Sequence, residues 1–258
     1  MAIITLTTDL GDKDIYQAAL KGSILKMMPA VNIVDITHTV PAFNIQQAAF
    51  ILKNSFYYFP DDTVHLIGID TVYSEENRFL AIRYRNHYFV GADNGIFSLI
   101  FNDEPEAIME INIMQDLKFL HFPLADIFVK AACHLANGGD IREIGVPVDH
   151  IEKRTTLQPV FERDQIRGMV IYIDSFQNVI TNITKDFFNR IQQGRKFVLY
   201  FKRNETITHL SWHYNEVPEG EKLCMFGISD HLEIAINKGN ASGLLGLNLG
   251  DSVIIDFQ

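Results

Sequence analysis

The stretch IITLTTDLGDKDIYQAALKGS, residues 3–23, joins an apolar run to a segment of helical character through three acids in six positions, Asp9, Asp12 and Asp14. Ile3–Leu6 reads as a strand and Asp9-Leu10-Gly11 as a turn. A strand, a turn and then a helix is how an α/β unit opens, and side chains at such a strand end face an open crevice. The turn holds a single glycine, Gly11, and no Lys or Arg stands before Lys13. It therefore offers acceptors rather than donors, which suits hydroxyls or a cation better than a phosphoanion.

Outward from this stretch, apolar runs alternate with amphipathic segments. Asn32–Asp35, Thr63–Asp70, Phe79–Tyr84 and Tyr88–Ala92 read as further strands, and Tyr16–Met27, Ile45–Tyr57 and Asp126–Asn137 as helices, the last closed by Gly138-Gly139. The rhythm predicts an α/β N-terminal domain with a largely parallel sheet over residues 1–155. From Asp149 the chain turns charged and loses helical period, and 156–165 reads as a linker. Ile166–Ile173, Lys196–Phe201, Thr206–Leu210, Lys222–Phe226 and Asp251–Phe257 then read as strands, with a short helical stretch at Leu232–Asn237. Residues 166–258 are thus expected to form a smaller, mainly antiparallel β C-terminal domain.

Composition narrows the function. A net charge of −10 argues against a nucleic-acid partner, whose phosphates would need a basic face. Cys133 and Cys224 lack any CxxC or CxxH partner and read as reduced core thiols. No apolar run approaches the roughly 20 residues that span a bilayer. The first apolar run ends at Asp9, so neither a signal peptide nor a membrane anchor is expected, and the expected location is cytoplasmic.

Most acidic motifs follow strands: Asp9, Asp35 with His38, Asp70, and Asp93-Asn94-Gly95. Strand ends converging on one edge of a parallel sheet would gather these groups into one crevice. Taken alone, each Asp also fits a cap or turn. His38 fits either a base or a ring hydrogen-bonded to Asp35. His134 lies on an apolar helix and reads as packing or capping. In YIDSFQNVITNIT, Asp174, Phe176 and Asn178 offer a carboxylate, a ring face and an amide within five residues, and the chemistry alone leaves a ligand site and a plain hairpin open.

TDLGDKDIYQAALKG, VDITHTVPAFNIQQAAFIL, YFPDDTVHLIGID, VGADNGIF, YIDSFQNVITNIT and HLEIAINKGNAS, in this order over nearly the whole chain, resemble the S-adenosyl-L-methionine (SAM) hydroxide adenosyltransferase family, or SAM hydrolases. Fluorinating and chlorinating enzymes are relatives of that family. The resemblance implies a homotrimer and a small-molecule substrate, SAM, with no cofactor and no metal. Water attacks C5′ of the ribose in line with the sulfonium, giving adenosine and L-methionine. By similarity Asp9 accepts hydrogen bonds from the ribose hydroxyls, with Asp14 and Tyr16 supporting that wall. Phe43 matches an aromatic that packs on the ligand, and Asp93 and Asn94 match a turn lining the pocket. Asp174 matches the partner of the methionine α-ammonium, Phe176 and Asn178 meet the adenine and methionine, and Ser229, Glu233 and Asn237 fall in a segment closing over the adenine.

In these hydrolases an Asp, an Arg and a His are associated with the attacking water. Asp70 matches the Asp and Arg78 the Arg, which would hold the carboxylate ionised and oriented. Two departures stand out. The family's Asp-Pro-Gly-Val-Gly becomes Asp70 followed by TVYSEEN, with one residue gained before Arg78, and its Phe-His-Gly-Arg-Asp-Ile-Phe becomes FPLADIF, with Pro123 at the histidine position. His121, two residues earlier, and Tyr73, in the altered loop, are the candidate substitutes. The alternatives are a SAM- or adenosine-binding protein with weak or lost hydrolysis and halide-dependent adenosyl transfer. The latter is disfavoured because Asp70 would repel an approaching anion.

Overall fold

The computed structural model describes residues 2–71, 78–202 and 205–258. The chain forms two units, Met1–Thr155 and Thr156–Gln258.

In unit 1, β1 (Ile3–Thr8), α1 (Ile15–Met27), β2 (Asn32–Thr37), α2 (Ile45–Lys53), β3 (Val64–Gly68), β4 (Phe79–Tyr84), β5 (His87–Ala92), α3 (Ile96–Ile100), β6 (Ala107–Ile111), α4 (Ile127–Ala136) and β7 (Gly145–Pro147) follow in order. The strands make one sheet in the order β2-β1-β3-β5-β4-β6-β7. Strand alternation splits its residues between two cores. Ile4, Leu6 and Leu66 pack with Leu20 and Ile24 of α1 and Phe128 of α4. Ile67, Leu80, Ile82 and Phe89 pack with Leu52 of α2 and Phe97 of α3.

The sheet is mixed, which corrects the expectation of a largely parallel one. β1 pairs parallel with β2 and β3, and β3 with β5, whereas β4–β5, β4–β6 and β6–β7 are antiparallel. The cause is the connection between β4 and β5. Arg85 and Asn86 both hold positive φ (49° and 62°), the backbone of a two-residue hairpin turn whose twist matches its strands. A parallel neighbour would need a crossover a dozen or more residues long.

Unit 2 contains β8 (Val160–Glu162), β9 (Gln165–Ile173), β10 (Val179–Thr184), α5 (Lys185–Gln192), β11 (Phe197–Phe201), β12 (Glu205–Ile207), β13 (Lys222–Phe226), β14 (His231–Ile236), α6 (Ala241–Leu245) and β15 (Ser252–Phe257). Every pairing among the described strands is antiparallel, in the order β12-β11-β15-β9-β10-β14-β13 with β8 added to β9. The 156–165 segment read as a linker thus supplies an edge strand. The helix expected at Leu232–Asn237 is instead β14, hydrogen-bonded on both sides to β10 and β13. Leu232, Ile234 and Ile236 recur every second residue on the core side, a strand period, and pack with Phe188, Val179 and Val253.

Candidate active site

β1, β2, β3 and β5 run parallel and finish at one edge of the unit 1 sheet, where β4, running oppositely, begins. Thr8 pairs with Gly68 and Phe79 with Ala92, so Asp9, His38, Asp70, Arg78, Asp93 and Asn94 all come to this carboxyl edge. Here an α/β sheet leaves room for a ligand. Asp9 continues from β1, donating its amide to Gly68 O (3.3 Å). Its Oδ2 accepts a hydrogen bond from Phe43 N at 2.9 Å. Phe43 holds φ +64°, a conformation disfavoured for an aromatic residue, and its side chain is 66% exposed. A large ring displayed at the ligand edge on a strained backbone is the kind of feature that accompanies a site.

Arg78 does not pair with Asp70, as expected from the sequence, but with Asp93. Register is the reason: Arg78 directly precedes β4, and Asp93 directly follows the β5 residue that pairs with Phe79, so the two lie opposite each other. Arg78 Nη2 stands 2.5 Å from Asp93 Oδ2, and Asp93 Oδ1 accepts from Glu152 N at 2.8 Å. Asn94 Nδ2 donates to Ile69 O (2.9 Å), tying the ends of β5 and β3 together. Asp93 and Asn94 therefore hold the edge in shape. Asp70 holds φ +47° and its carbonyl accepts from Asn94 Nδ2 at 3.4 Å; among the described residues none donates a hydrogen bond to its carboxylate.

The segment bearing Pro123 reaches the same edge. A Cβ at Gly68 would collide with Leu124 Cδ2, so the missing side chain lets the short helical turn Pro123–Ala125 lie against the end of β3. Phe122 meets the Tyr16 ring edge-on, centroids 5.5 Å apart. Asp14 caps α1 by position but makes no side-chain capping bond. Pro123 is buried and His121 exposed. Tyr73 lies outside the described residues.

Unit 2 assembles a second group. Asp174 follows β9 and accepts from Asn178 N (2.8 Å) and Nδ2 (3.1 Å), closing a tight turn with Gln177 at φ +67°. Phe176, at its tip, is 80% exposed. On β14, Glu233 is only 6% exposed and accepts at Oε1 from the Tyr214 hydroxyl, 2.7 Å away. Burial raises the Glu233 pKa; the Tyr214 bond opposes this, and the nearby Asp174 charge adds to it. Burial and the Glu233 bond push the Tyr214 phenol up as well. Gly227 lies so close to Glu233 Oε2 that a Cβ there would stand 2.7 Å away. Asn237 spends its amide on Val217 O (2.7 Å), and Ser229 offers its carbonyl to His231 Nδ1 (2.7 Å), both local ties. Tyr214 carried no signal in the sequence; it opens a single 3-10 turn, Tyr214–Glu216, and its partner lies 19 residues on.

Among the described residues, no three His, Cys, Asp or Glu side chains are grouped to hold a metal ion. Both cysteines are free and buried, and burial lifts Cys133 to about 11 and Cys224 to about 12.

These are two units, a mixed α/β sheet and an antiparallel β sheet, each displaying acids and an exposed aromatic ring at a loop edge. The chain belongs to the SAM hydroxide adenosyltransferase family: residues 4–145 match its N-terminal domain and 168–254 its C-terminal domain. It is 30% identical over 279 aligned residues to a Methanocaldococcus jannaschii protein named (R)-S-adenosyl-L-methionine hydrolase, covering 99% of this chain and 96% of that one. A Thermus thermophilus protein of the same name is 29% identical, with 97% and 98% covered. A crystal structure of an uncharacterized conserved protein from Thermotoga maritima superposes with a TM-score of 0.88 at 28% identity, over 98% of this chain and 99% of that one.

Proposed function

We propose that this protein hydrolyses S-adenosyl-L-methionine to adenosine and L-methionine. The observation that carries the reading is near-full-length similarity, at 30% identity, to a protein named for that activity. The chemistry of the carboxyl edge supports it. Asp9, anchored by Phe43 N, keeps Oδ1 to accept from the ribose hydroxyls, and that fixed sugar aims C5′ at the nucleophile. Asp70 orients the attacking water and takes up its proton. The water oxygen bonds to C5′ as the C5′–S bond breaks, and the bonding pair returns to sulfur as methionine's thioether. A sulfonium needs no acid to leave, so the demand falls on the water. Arg78 contributes through Asp93, by fixing the turn beside the site. Asp14 and Tyr16 support the Asp9 wall, and His121 or Tyr73 is the second contact to the water. Asp174, Phe176, Asn178 and Glu233, with Ser229 and Asn237, receive the adenine and methionine groups.

A homotrimer in the cytoplasm belongs to the same reading. Exposed apolar side chains near both groups, Ile15, Phe43, Phe176 and Ile228, support assembly, and two free cysteines suit a reducing compartment. Sedimentation tests the mass.

Two observations favour a second reading, a SAM- or adenosine-binding protein with little hydrolysis: buried Pro123 at the family's histidine position and the commitment of Arg78 to Asp93. Incubation with SAM, with and without chloride, followed by chromatography, separates the readings. Equal adenosine and methionine, independent of chloride, support hydrolysis. Calorimetric binding without product supports the second reading, and 5′-chloro-5′-deoxyadenosine would support halide transfer.

A further inference from the structure

His38 is buried, 5% exposed, directly beyond β2 at the carboxyl edge of unit 1. Its Nδ1 lies 2.7 Å from Thr8 Oγ1, and its Nε2 faces Asp35 Oδ1 at 3.0 Å. Asp35 Oδ2 in turn stands 2.5 Å from Lys21 Nζ. Thr8 Oγ1 also accepts from Leu10 N at 3.4 Å. Nδ1 is committed to Thr8 and the ring is enclosed, with Nε2 buried and facing Asp35 without a hydrogen bond among the described residues. The enclosed ring is placed to hold its neighbours rather than to reach substrate.

The bonds do something else. Thr8 precedes Asp9, and Leu10 and Gly11 follow it. The His38 side chain holds the first, and its carbonyl accepts from Gly11 N at 2.7 Å. Gly11 turns the chain with φ +69°, which lets it fold back onto His38. The only side-chain hydrogen bond to Asp9 among the described residues comes from Phe43 N, five residues past His38 in the same loop. Asp9 is thus clamped on both sides of its own backbone and at its carboxylate by one loop.

We infer that His38 is a positioning residue that sets the Asp9 carboxylate for reading ribose hydroxyls. The inference rests on the ribose role of Asp9 in the proposed function. A carboxylate displaced by a fraction of an ångström loses directional hydrogen bonds to hydroxyls while still admitting the base and sugar. His38 therefore governs discrimination between ribose and deoxyribose more than overall nucleoside affinity.

The test compares calorimetric affinities for adenosine, 2′-deoxyadenosine and 3′-deoxyadenosine. Wild-type protein is expected to prefer adenosine by ~10-fold or more, the worth of hydrogen bonds to a charged acceptor. His38→Ala is expected to reduce that preference to about twofold or less. Asn and Gln variants sort the cause. The amide of His38→Asn takes the place of Nδ1 and keeps the Thr8 contact, so it retains most of the preference. His38→Gln reaches toward Asp35 instead and behaves as His38→Ala does. Undiminished preference in folded Ala or Gln variants, or equal loss in Asn and Gln, overturns the inference while leaving the Asp9 reading intact. Equal wild-type affinities for all three nucleosides overturn the Asp9 reading and this inference with it.

Discussion

Lowering the pH from 8 to 5 is expected to destabilise unit 1 through one ring, His65. Its Nδ1 lies 2.7 Å from Thr5 Oγ1 and its Nε2 3.2 Å from His87 Nδ1, in a setting of Phe56, Phe59 and Phe89 rings. Burial, followed by repulsion from His87, lowers its pKa from 6.5 to about 3. The folded value is depressed, so the unfolded chain takes up a proton that the folded protein refuses. Stability is whole above the unfolded value, 6.5, and falls as the pH drops from there toward about 3. At pH 5 the unfolded ring is mostly protonated, and the loss comes to about 2 kcal/mol. His87 is depressed too, by burial first, with the charges of Asp61, Asp62 and Glu106 opposing, and so adds in the same direction. The single tryptophan, Trp212, lies in unit 2, so urea unfolding of unit 1 is best followed by far-UV circular dichroism. His65→Gln keeps a neutral polar group and removes the titration. Its stability loss between pH 8 and pH 5 should be smaller than that of wild type by about 2 kcal/mol, whatever its stability at pH 8. Equal losses in the two proteins would refute the reasoning.

Asp70→Ala is expected to retain SAM binding by calorimetry and to lose ~10²–10⁴-fold in turnover, the range for a group that handles the nucleophile's proton; unchanged turnover would remove Asp70 from the chemistry. Asp93→Asn leaves Arg78 without its carboxylate in a largely buried pair and should cost ~3 kcal/mol of stability in denaturant unfolding. A loss below about 0.5 kcal/mol, ordinary for surface positions, would mean the pair does not hold the edge. Tyr214→Phe removes the one described donor to Glu233 and should raise the pH at which that carboxylate titrates, read by carbon-13 NMR of the labelled side chain. An unchanged titration would show that the hydroxyl does not control it.

What the sequence disclosed was what local pattern encodes. The strand-turn-helix opening is visible in Ile3–Ser23 because Ile4 and Leu6 face one core while α1 supplies Leu20 and Ile24 to the same core. The convergence of Asp9, Asp70 and Asp93 followed from topology, since parallel strands end together. The β4–β5 hairpin escaped notice because Arg85-Asn86 takes positive φ without the glycine that usually announces such a turn. β14 read as helix because Leu, Glu and Ala are good helix formers, and in a six-residue strand bonded on both sides that weak preference yields to pairing. The site's ties were hidden for a different reason. Asp93 meets Glu152 across 59 residues and Thr8 meets His38 across 30, and no local period records a contact between distant segments.

The central claim, that water attacks C5′ of SAM in this protein, is tested most directly by running the reaction in oxygen-18 water and weighing the products. The account predicts adenosine carrying one heavy oxygen at its 5′-hydroxyl and methionine carrying none. SAM consumed no faster than in protein-free buffer, or heavy oxygen appearing in the amino-acid fragment instead of the nucleoside, would contradict it.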